Sequence, residues 1–387
     1  MPHSRKLFRN LQKFHDSDMN TAATIIPMKA SKSRIAALDI MRGITIVCMI
    51  IVNNGAGPEN FFQLNHSEWN GLTLCDLVFP FFLFIMGITT YLSLSSGGFK
   101  ADGHTIAKII RRTVTILLIC WALHWFENVC KGRGLFDFGH LRLTGVLTRI
   151  ALCYCVVSLL ALSCRARTLV AITIALLTAY GFMLFYGNGY VNGPENINSI
   201  VDRFLLPEGH LYTRRPIDPE GLLGTIPAIA HTLIGFGFGA IIKRPTPVGS
   251  RIKLIAVAGL FLLVAGLLLS LSLPLNKRIW SPSYVLTSCG CAAMVLAALI
   301  ALVDQRGIVK PFSVFRAVGA NPLFLYVAAE ALAAVVSATG AKDAMYAAIS
   351  TLLPYPKAAS LCYALLFTSI ICLAAIPLYR RRIFIKI

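Results

Sequence analysis

Residues 73–95 read TLCDLVFPFFLFIMGITTYLSLS, a continuous apolar run in which Asp76 is the one charged side chain. A run of this length can cross the hydrocarbon core of a bilayer as a single α-helix. Thr73 and Asp76 are three residues apart, as the two partners of a helix capping box are. The stretch therefore predicts a transmembrane helix that begins at a defined residue.

Similar apolar runs recur along the chain, and with 73–95 they number about ten. The others lie at 38–54, 105–125, 143–162, 168–187, 220–242, 252–273, 282–303, 318–338 and 358–379. Short charged or Gly/Pro-containing segments separate them, so the sequence predicts an all-α, polytopic membrane bundle. The composition agrees, since 56% of residues are hydrophobic and 14% are charged, which is too apolar for a soluble domain.

Lys and Arg are concentrated in alternate loops, for example at Arg165 and Arg167 and at Lys243 and Arg244. By the positive-inside rule this pattern places both termini in the cytoplasm. It also accounts for most of the net charge of +19. We therefore expect a lipid bilayer, and no nucleic acid, as the partner of this basic chain.

Residues 1–33 are polar and basic, without the apolar segment of a signal peptide. We expect a partly disordered cytoplasmic tail there, followed by a transmembrane domain over 34–387. The eleven cysteines lie mostly inside apolar runs, and no CxxC pair has a matching CxxC or HxxxH. The sequence thus predicts no metal site.

The densest polar segment joins the first two predicted spans, from Asn53 to Asp76. Within it His66 is a candidate general base or nucleophile, since imidazole exchanges protons near neutral pH. Asn53 is a candidate oxyanion donor, and Asp76 could fix the tautomer of a histidine. The alternatives are a histidine that hydrogen-bonds the backbone, a C-terminal cap at Asn53, and a purely structural Asp76 in the capping box.

Three further residues are candidates for binding an anionic cofactor. Arg42 and Arg149 are cations within predicted spans, where ionisable side chains are often functional. Asn321-Pro322 predicts a helix start inside the ninth run, whose positive end would suit an anion. The alternatives are an ion pair between Asp39 and Arg42, a carbonyl or carboxylate partner for Arg149, and a simple proline kink.

A long loop over 188–218 and the short loop around Lys277 are predicted to lie on the outer side. His210, Asp218 and Lys277, with Trp69 and Asn70 beside His66, supply the hydrogen-bonding groups that a carbohydrate requires. Asp218-Pro219 and Ser281-Pro282 each predict an N-cap followed by Pro at the first helical position. Gly235 and Gly239 are four residues apart, which predicts a close helix–helix contact.

Several motifs resemble one family of transmembrane acyltransferases, that of heparan-α-glucosaminide N-acetyltransferase and its bacterial relatives. The most specific block is His66-Ser-Glu-Trp-Asn-Gly-Leu-Thr73 followed by Asp76-Leu-Val-Phe-Pro80. Further matching motifs are Arg34-Ile-Ala-Ala-Leu-Asp-Ile-Met-Arg-Gly43, Val52-Asn53-Asn54-Gly55, Gly145-Val-Leu-Thr-Arg149, Asp218-Pro-Glu-Gly221, Pro274-Leu-Asn-Lys277 and Gly319-Ala-Asn-Pro-Leu-Phe324. The resemblance extends from about Arg34 to the C-terminus.

This resemblance implies transfer of an acetyl group from cytosolic acetyl-CoA to the amino group of a glucosamine on the other side of the membrane. The essential histidine of the family corresponds to His66 and its catalytic asparagine to Asn53. The animal enzyme has an additional N-terminal luminal domain, so we expect a bacterial relative in the inner membrane that acts on a periplasmic amino sugar. The resemblance also implies a homodimer.

Two other functions suit the same features. An amino-sugar permease would also have about ten helices, an intramembrane Arg149 and broken helices. An O-acyltransferase of envelope polysaccharide would use the same His66 chemistry on a different acceptor.

Overall fold

The computed structural model describes residues 35–212 and 215–385, and these residues form thirteen α-helices and no β-strand. The expected tail over 1–33 lies outside the described residues. The helices, in chain order, are α1 Ala36–Asn53, α2 Leu74–Ser96, α3 Gly103–Cys130, α4 Val146–Ser163, α5 Ala166–Tyr186, α6 Ile197–Leu205, α7 Thr225–Ile242, α8 Val248–Leu269, α9 Pro282–Leu299, α10 Ser313–Ala320, α11 Pro322–Ala338, α12 Ala341–Leu352 and α13 Pro356–Arg380.

Eight of the described helices are long and apolar enough to cross a membrane, which confirms a polytopic helical membrane protein. A ninth span results if α10 and α11 are counted as one, since they are bent by 78° at Asn321. Each of the predicted spans corresponds to a helix or to this bent pair. The helix α3 is not among the eight, and it carries four charged side chains (Lys108, Arg111, Arg112 and Glu127). The expected count of about ten is therefore met only in part.

The prediction of an N-cap at Asp218 is wrong. The helix α7 begins at Thr225, with Gly224 at the N-cap position, so the span is shorter than 220–242. Asp218 instead uses its carboxylate to bind Arg142 and Thr144, in the segment before α4, and the backbone of Tyr212, as described below. In contrast, the capping box of Thr73 and Asp76 is present.

The other two predicted helix starts are at the expected residues. Ser281 caps α9 by accepting a hydrogen bond from the backbone N–H of Tyr284, with Pro282 at the first position. Asn321 precedes Pro322 at the start of α11, but its side chain does not cap the helix. Two short helices, α6 and α12, were not predicted, because neither is long enough to give a transmembrane signal.

Glycines allow two pairs of helices to pack with their backbones in contact. A Cβ atom on Gly235 would lie 2.3 Å from the carbonyl oxygen of Phe84, and one on Gly87 would lie 2.2 Å from that of Thr232. These contacts join α2 and α7, and a Cβ on Gly239 would lie 2.6 Å from the Cβ of Tyr91 in the same pair. The predicted packing role of Gly235 and Gly239 is confirmed.

The helix α1 approaches α10 in the same way. A Cβ atom on Gly43 would lie 1.8 Å from the carbonyl oxygen of Phe315, and one on Gly319 would lie 1.9 Å from that of Asp39. Close beside this contact, Arg42 pairs with Asp39 at 3.1 Å and donates to the carbonyl of Gly319. The first helix is thereby fixed at one end against the bent pair, while its other end carries Asn53.

Candidate active site

His66 lies in the loop between α1 and α2, and its imidazole contacts a buried carboxylate. Nδ1 of His66 is 2.8 Å from Oδ1 of Asp76. The Asp76 side chain is fully buried, whereas 46% of the His66 side chain is exposed. The capping box explains this placement, because it fixes Asp76 in the first turn of α2 below the loop.

The remaining contacts of Asp76 determine which nitrogen of His66 carries the proton. Oδ2 of Asp76 accepts hydrogen bonds from the backbone N–H groups of Ser67 and Thr73 and from the hydroxyl of Thr73. A carboxylate with these donors is an acceptor only, so its contact with His66 requires a proton on Nδ1. Nε2 is then unprotonated, which is the state that a general base needs.

Lys277 contacts the same imidazole. Its Nζ lies 3.1 Å from Nδ1 and 3.1 Å from Nε2 of His66, and 4.0 Å from Oδ1 of Asp76. Cys75 also approaches the ring, with Sγ 3.1 Å from Nδ1. The sequence predicted that Lys277 binds a carbohydrate, and the structure places it against the candidate catalytic histidine.

The loop that carries Lys277 is docked on the loop that carries His66. The backbone N–H of Gly71 donates to the carbonyl of Leu275, and Nδ2 of the buried Asn276 donates to Oδ1 of Asn70. Arg278 donates to the carbonyl of Ser67. These bonds hold the two loops in a fixed arrangement.

Trp280 anchors this loop in the core. Its side chain is fully buried, and its backbone φ is +53°, a left-handed conformation that is strained for a large side chain. The indole packs edge-on against Phe79 and Tyr284, and the guanidinium of Arg149 lies 5.0 Å from its ring centroid. Strained residues of this kind persist where the surrounding packing determines them, often at functional sites.

Trp69 and Asn70 lie beside the site, as predicted, and both already have partners. Trp69 donates from Nε1 to the carbonyl of Tyr190, and Arg278 lies over its ring. Asn70 accepts the hydrogen bond from Asn276. Asn70 is exposed, so its amide can also take part in binding a ligand.

Asn53 is held by a residue of a distant helix. Its Nδ2 donates to Oε1 of Glu330 in α11 at 2.9 Å. Among the described residues, this is the hydrogen bond of the Asn53 side chain, and no hydrogen bond joins Asn53 to His66. Because Nδ2 has two hydrogens, one N–H is still available as an oxyanion donor.

The outer loop forms a second polar cluster, around Asp218. Its carboxylate accepts hydrogen bonds from Arg142 at 2.7 Å, from the hydroxyl of Thr144 and from the backbone N–H of Tyr212, and Arg142 also binds Glu220. Burial alone would raise the pKa of Asp218, but Arg142 and these donors hold it below its ordinary value. The same carboxylates hold the pKa of Arg142 above its ordinary range.

His210 is part of the same arrangement. Its Nδ1 bonds to the carbonyl of Leu141, and its own carbonyl accepts from the N–H of Leu143. The predicted substrate residues His210 and Asp218 thus join the outer loop to the segment that precedes α4. No contact joins either of them to His66 in the described part of the chain.

Asp202, at the end of α6, is the least satisfied carboxylate of the outer loop. Oδ1 accepts from the backbone N–H groups of Leu222 and Leu223, while Oδ2 is buried without a hydrogen-bond partner. Burial raises the pKa of Asp202 to about 6, although the bond from Leu223 opposes this shift. A cavity of about 250 Å³ lies beside it, lined by Arg203, Glu208, Tyr212, Arg215 and Asp218 among others.

Comparison with known proteins supplies the family. Residues 34–246 match a family model described as heparan-alpha-glucosaminide N-acetyltransferase, catalytic. The chain belongs to this family. Two enzymes named heparan-alpha-glucosaminide N-acetyltransferase, from Mus musculus and Homo sapiens, are each 30% identical to it. The matches cover 79% and 78% of this chain, and 54% of each relative, so the chain spans about half the length of the relatives it matches.

His66 and Asp76 lie within the residues that match the N-acetyltransferase family model, while Lys277 lies beyond them. In the described residues, the structure contains no group of three or more His, Cys, Asp or Glu side chains arranged to hold a metal. The contacts between His66, Asp76 and Lys277 bring a histidine, a carboxylate and an ammonium group together at the core of the site.

The three residues predicted to bind the cofactor lie in two places. Arg42 binds Asp39 and Gly319, and Asn321 bonds to the backbone of Ile383 and Ile385 near the chain end. Arg149 is buried and donates to the carbonyls of Pro219 and Gly221 at the outer loop. A carbonyl partner for Arg149 was one of the expected alternatives. A role in cofactor binding stays a prediction for all three.

Sequence reasoning missed three residues that build the site: Cys75, Asn276 and Glu330. Cys75 appeared to be an ordinary apolar residue at the start of a span. An intramembrane carboxylate is a recognised functional signal, so Glu330 could have been found by that rule. Asn276 had no comparable signal, because its role is to fold a loop.

Proposed function

We propose that this protein is a transmembrane N-acetyltransferase that moves acetyl from acetyl-CoA to the amino group of glucosamine or a related amino sugar. The observation that carries the proposal is the 2.8 Å contact between His66 and Asp76, with nearly half of the imidazole side chain exposed. Membership of the N-acetyltransferase family supports the reaction type. We further propose that coenzyme A approaches from the cytoplasm, near Arg42 and Asn321, in the inner membrane of a bacterium.

The proposed reaction is direct transfer. The sugar amine attacks the thioester carbonyl carbon while Nε2 of His66 removes a proton from the attacking nitrogen. Asp76 stabilises the imidazolium that forms. Collapse of the tetrahedral intermediate breaks the C–S bond, and the imidazolium returns the proton to the sulfur of coenzyme A. Asn53 would donate its second N–H to the developing oxyanion.

A covalent route through acetyl-His66 is the alternative, because a neutral imidazole nitrogen can also carry an acyl group. Incubation with radiolabelled acetyl-CoA in the absence of acceptor separates the two routes. Direct transfer predicts no label on the protein in single-turnover experiments, whereas stable or transient label at His66 would establish the covalent route.

For the acceptor, we propose that the sugar enters from the periplasm past the outer loop. The cavity beside Asp202 supports this, since its lining combines carboxylate, guanidinium and phenol groups that can bind hydroxyls and an ammonium. A second copy of the chain is the proposed partner in the membrane.

The first experiment measures free thiol released from acetyl-CoA by the purified protein in detergent with glucosamine, for wild type and for His66→Ala. Acceptor-dependent release that the substitution abolishes supports the enzyme. Analysis of the product distinguishes an amide from an ester, and therefore an N-acetyltransferase from an O-acyltransferase. No thiol release with any amino sugar, together with sugar uptake into vesicles that lack acetyl-CoA, would instead establish a permease.

A further inference from the structure

Lys277 occupies a position that binding of a carbohydrate does not explain. Only 10% of its side chain is exposed, so little of it can contact a ligand from outside the site. In the described residues its contacts are to His66 and Asp76, the two groups at the centre of the site. A buried ammonium beside the proposed catalytic base can stabilise negative charge that develops during the reaction.

The loop is built to hold this ammonium in place. Oδ1 of Asn276 accepts from the backbone N–H groups of Arg278 and Ile279, which closes a tight turn directly after Lys277. The N–H of Trp280 donates to the carbonyl of Lys277 itself. Trp280 is buried in a left-handed conformation, which holds the backbone that follows Lys277. The Cα of Lys277 therefore has a fixed position, and its side chain is directed from there.

Nζ of Lys277 is 3.1 Å from both ring nitrogens of His66, so it lies within hydrogen-bond distance of Nε2 as well as of Nδ1. Its carboxylate neighbour is at 4.0 Å and is shared with His66, Ser67 and Thr73. The ammonium, which has three N–H donors, therefore has donor capacity left for an anion.

We propose that Lys277 is a catalytic residue that binds the oxyanion of the tetrahedral intermediate formed next to His66. The proposal rests on the proposed acetyl transfer. When the amine attacks, the carbonyl π electrons move to oxygen, and the resulting O⁻ accepts a hydrogen bond from the ammonium of Lys277. When the C–S bond breaks, the C=O bond re-forms, and Lys277 remains protonated throughout.

A cation held in a fixed position stabilises such an oxyanion more than a mobile, solvated one does, because the protein does not have to reorganise when the charge develops.

The test compares Lys277→Gln, Lys277→Met and Lys277→Arg with the matched control Lys357→Gln, which removes a lysine that pairs with Glu59 on the surface. Loss of one oxyanion donor lowers kcat by about 100-fold or more. We expect that loss for the Gln and Met variants, with the KM for glucosamine within about threefold of wild type. Lys277→Arg keeps the charge and should recover part of kcat, and Lys357→Gln should match wild type.

The opposite pattern would overturn the proposal: kcat unchanged in the Gln and Met variants, with a raised KM for the sugar, would make Lys277 a substrate-binding residue. If none of the three variants gives a folded protein by gel filtration and thermal unfolding, the role of Lys277 is structural and the proposal is wrong. If wild type transfers no acetyl group, the proposed function fails and this proposal fails with it. An active wild type with fully active Lys277 variants overturns this proposal alone.

Discussion

The site at His66 and the cluster at Asp218 are both built from a buried aspartate, a cation and backbone donors. They differ in how far the charged groups within each cluster pair with one another. Around Asp218, Arg142 is matched by two carboxylates, and the hydrogen-bonding groups point at one another. Around Asp76, one carboxylate faces both an imidazole and an ammonium. Nearly half of the imidazole side chain is exposed, so it can be reached by a substrate.

The difference indicates how to separate structure from chemistry in a membrane protein. A closed cluster, in which the charged groups bind one another, fixes the fold, because a partner would be left unpaired if the other were removed. A cluster with spare acceptor and donor capacity can bind and activate a ligand. Substitutions should therefore affect stability in the first cluster and turnover in the second.

The largest expected effect is that of His66→Ala. Removal of the proposed general base should lower kcat for acetyl transfer by about 1,000-fold or more. The side chain is nearly half exposed, so the midpoint of thermal unfolding should change little. Retained turnover in a folded His66→Ala variant would show that the site is elsewhere.

Arg142→Ala should have the opposite effect. It leaves the buried carboxylates of Asp218 and Glu220 without their cation, and the free energy of unfolding should fall by about 3 kcal/mol. The measurement is thermal or denaturant unfolding in detergent, with the exposed Arg133→Ala as the control. Unchanged stability would contradict the structural role of this cluster. The kcat of the protein that remains folded should stay close to wild type.

Asp76→Asn separates the two roles of Asp76, which are to cap helix α2 and to orient His66. An amide can still accept hydrogen bonds from the capping box, but it can no longer stabilise an imidazolium or fix the proton on Nδ1 of His66. We expect kcat to fall by about 100-fold, together with a loss of stability, because the buried ammonium of Lys277 loses its carboxylate partner. A large loss of stability with normal turnover would make Asp76 a capping residue only.

The smallest effect is the pH dependence due to Asp202. Its pKa of about 6 in the folded protein is above the ordinary value of 3.8, so between these values the unfolded chain loses a proton that the folded chain keeps. Stability should therefore fall by about 2–3 kcal/mol as the pH rises from 4 to 6 and then level off. Asp202→Asn should remove this slope. An equal slope in both proteins would show that another group titrates.

Much of the fold could be predicted because hydrophobic runs and helix caps are local signals. The runs predicted the long helices, and the Thr73–Asp76 box marked the start of α2 at the correct residue. The cap predicted at Asp218 failed because Asp-Pro also occurs in loops, and here Arg142 and Thr144 bind the carboxylate. The 78° bend at Asn321 depends on packing that sequence alone does not contain.

The site was predicted less completely. His66 and Asp76 could be paired because they are close in sequence and one could orient the other. Lys277 follows them by two hundred residues, and its contact depends on the docking of two loops through Asn276 and Asn70. The contact of Asn53 with Glu330 is equally distant in sequence.

The close approach of α1 and α10 has a mechanical consequence. At Gly43 and Gly319 the two backbones touch, with no side chain between them that could change rotamer to absorb a shift. The bend that follows α10 is tied through Asn321 to the end of the chain at Ile383 and Ile385. A displacement of the segment at Ile383 and Ile385 would therefore move α10 and α1 together, and with α1 the position of Asn53.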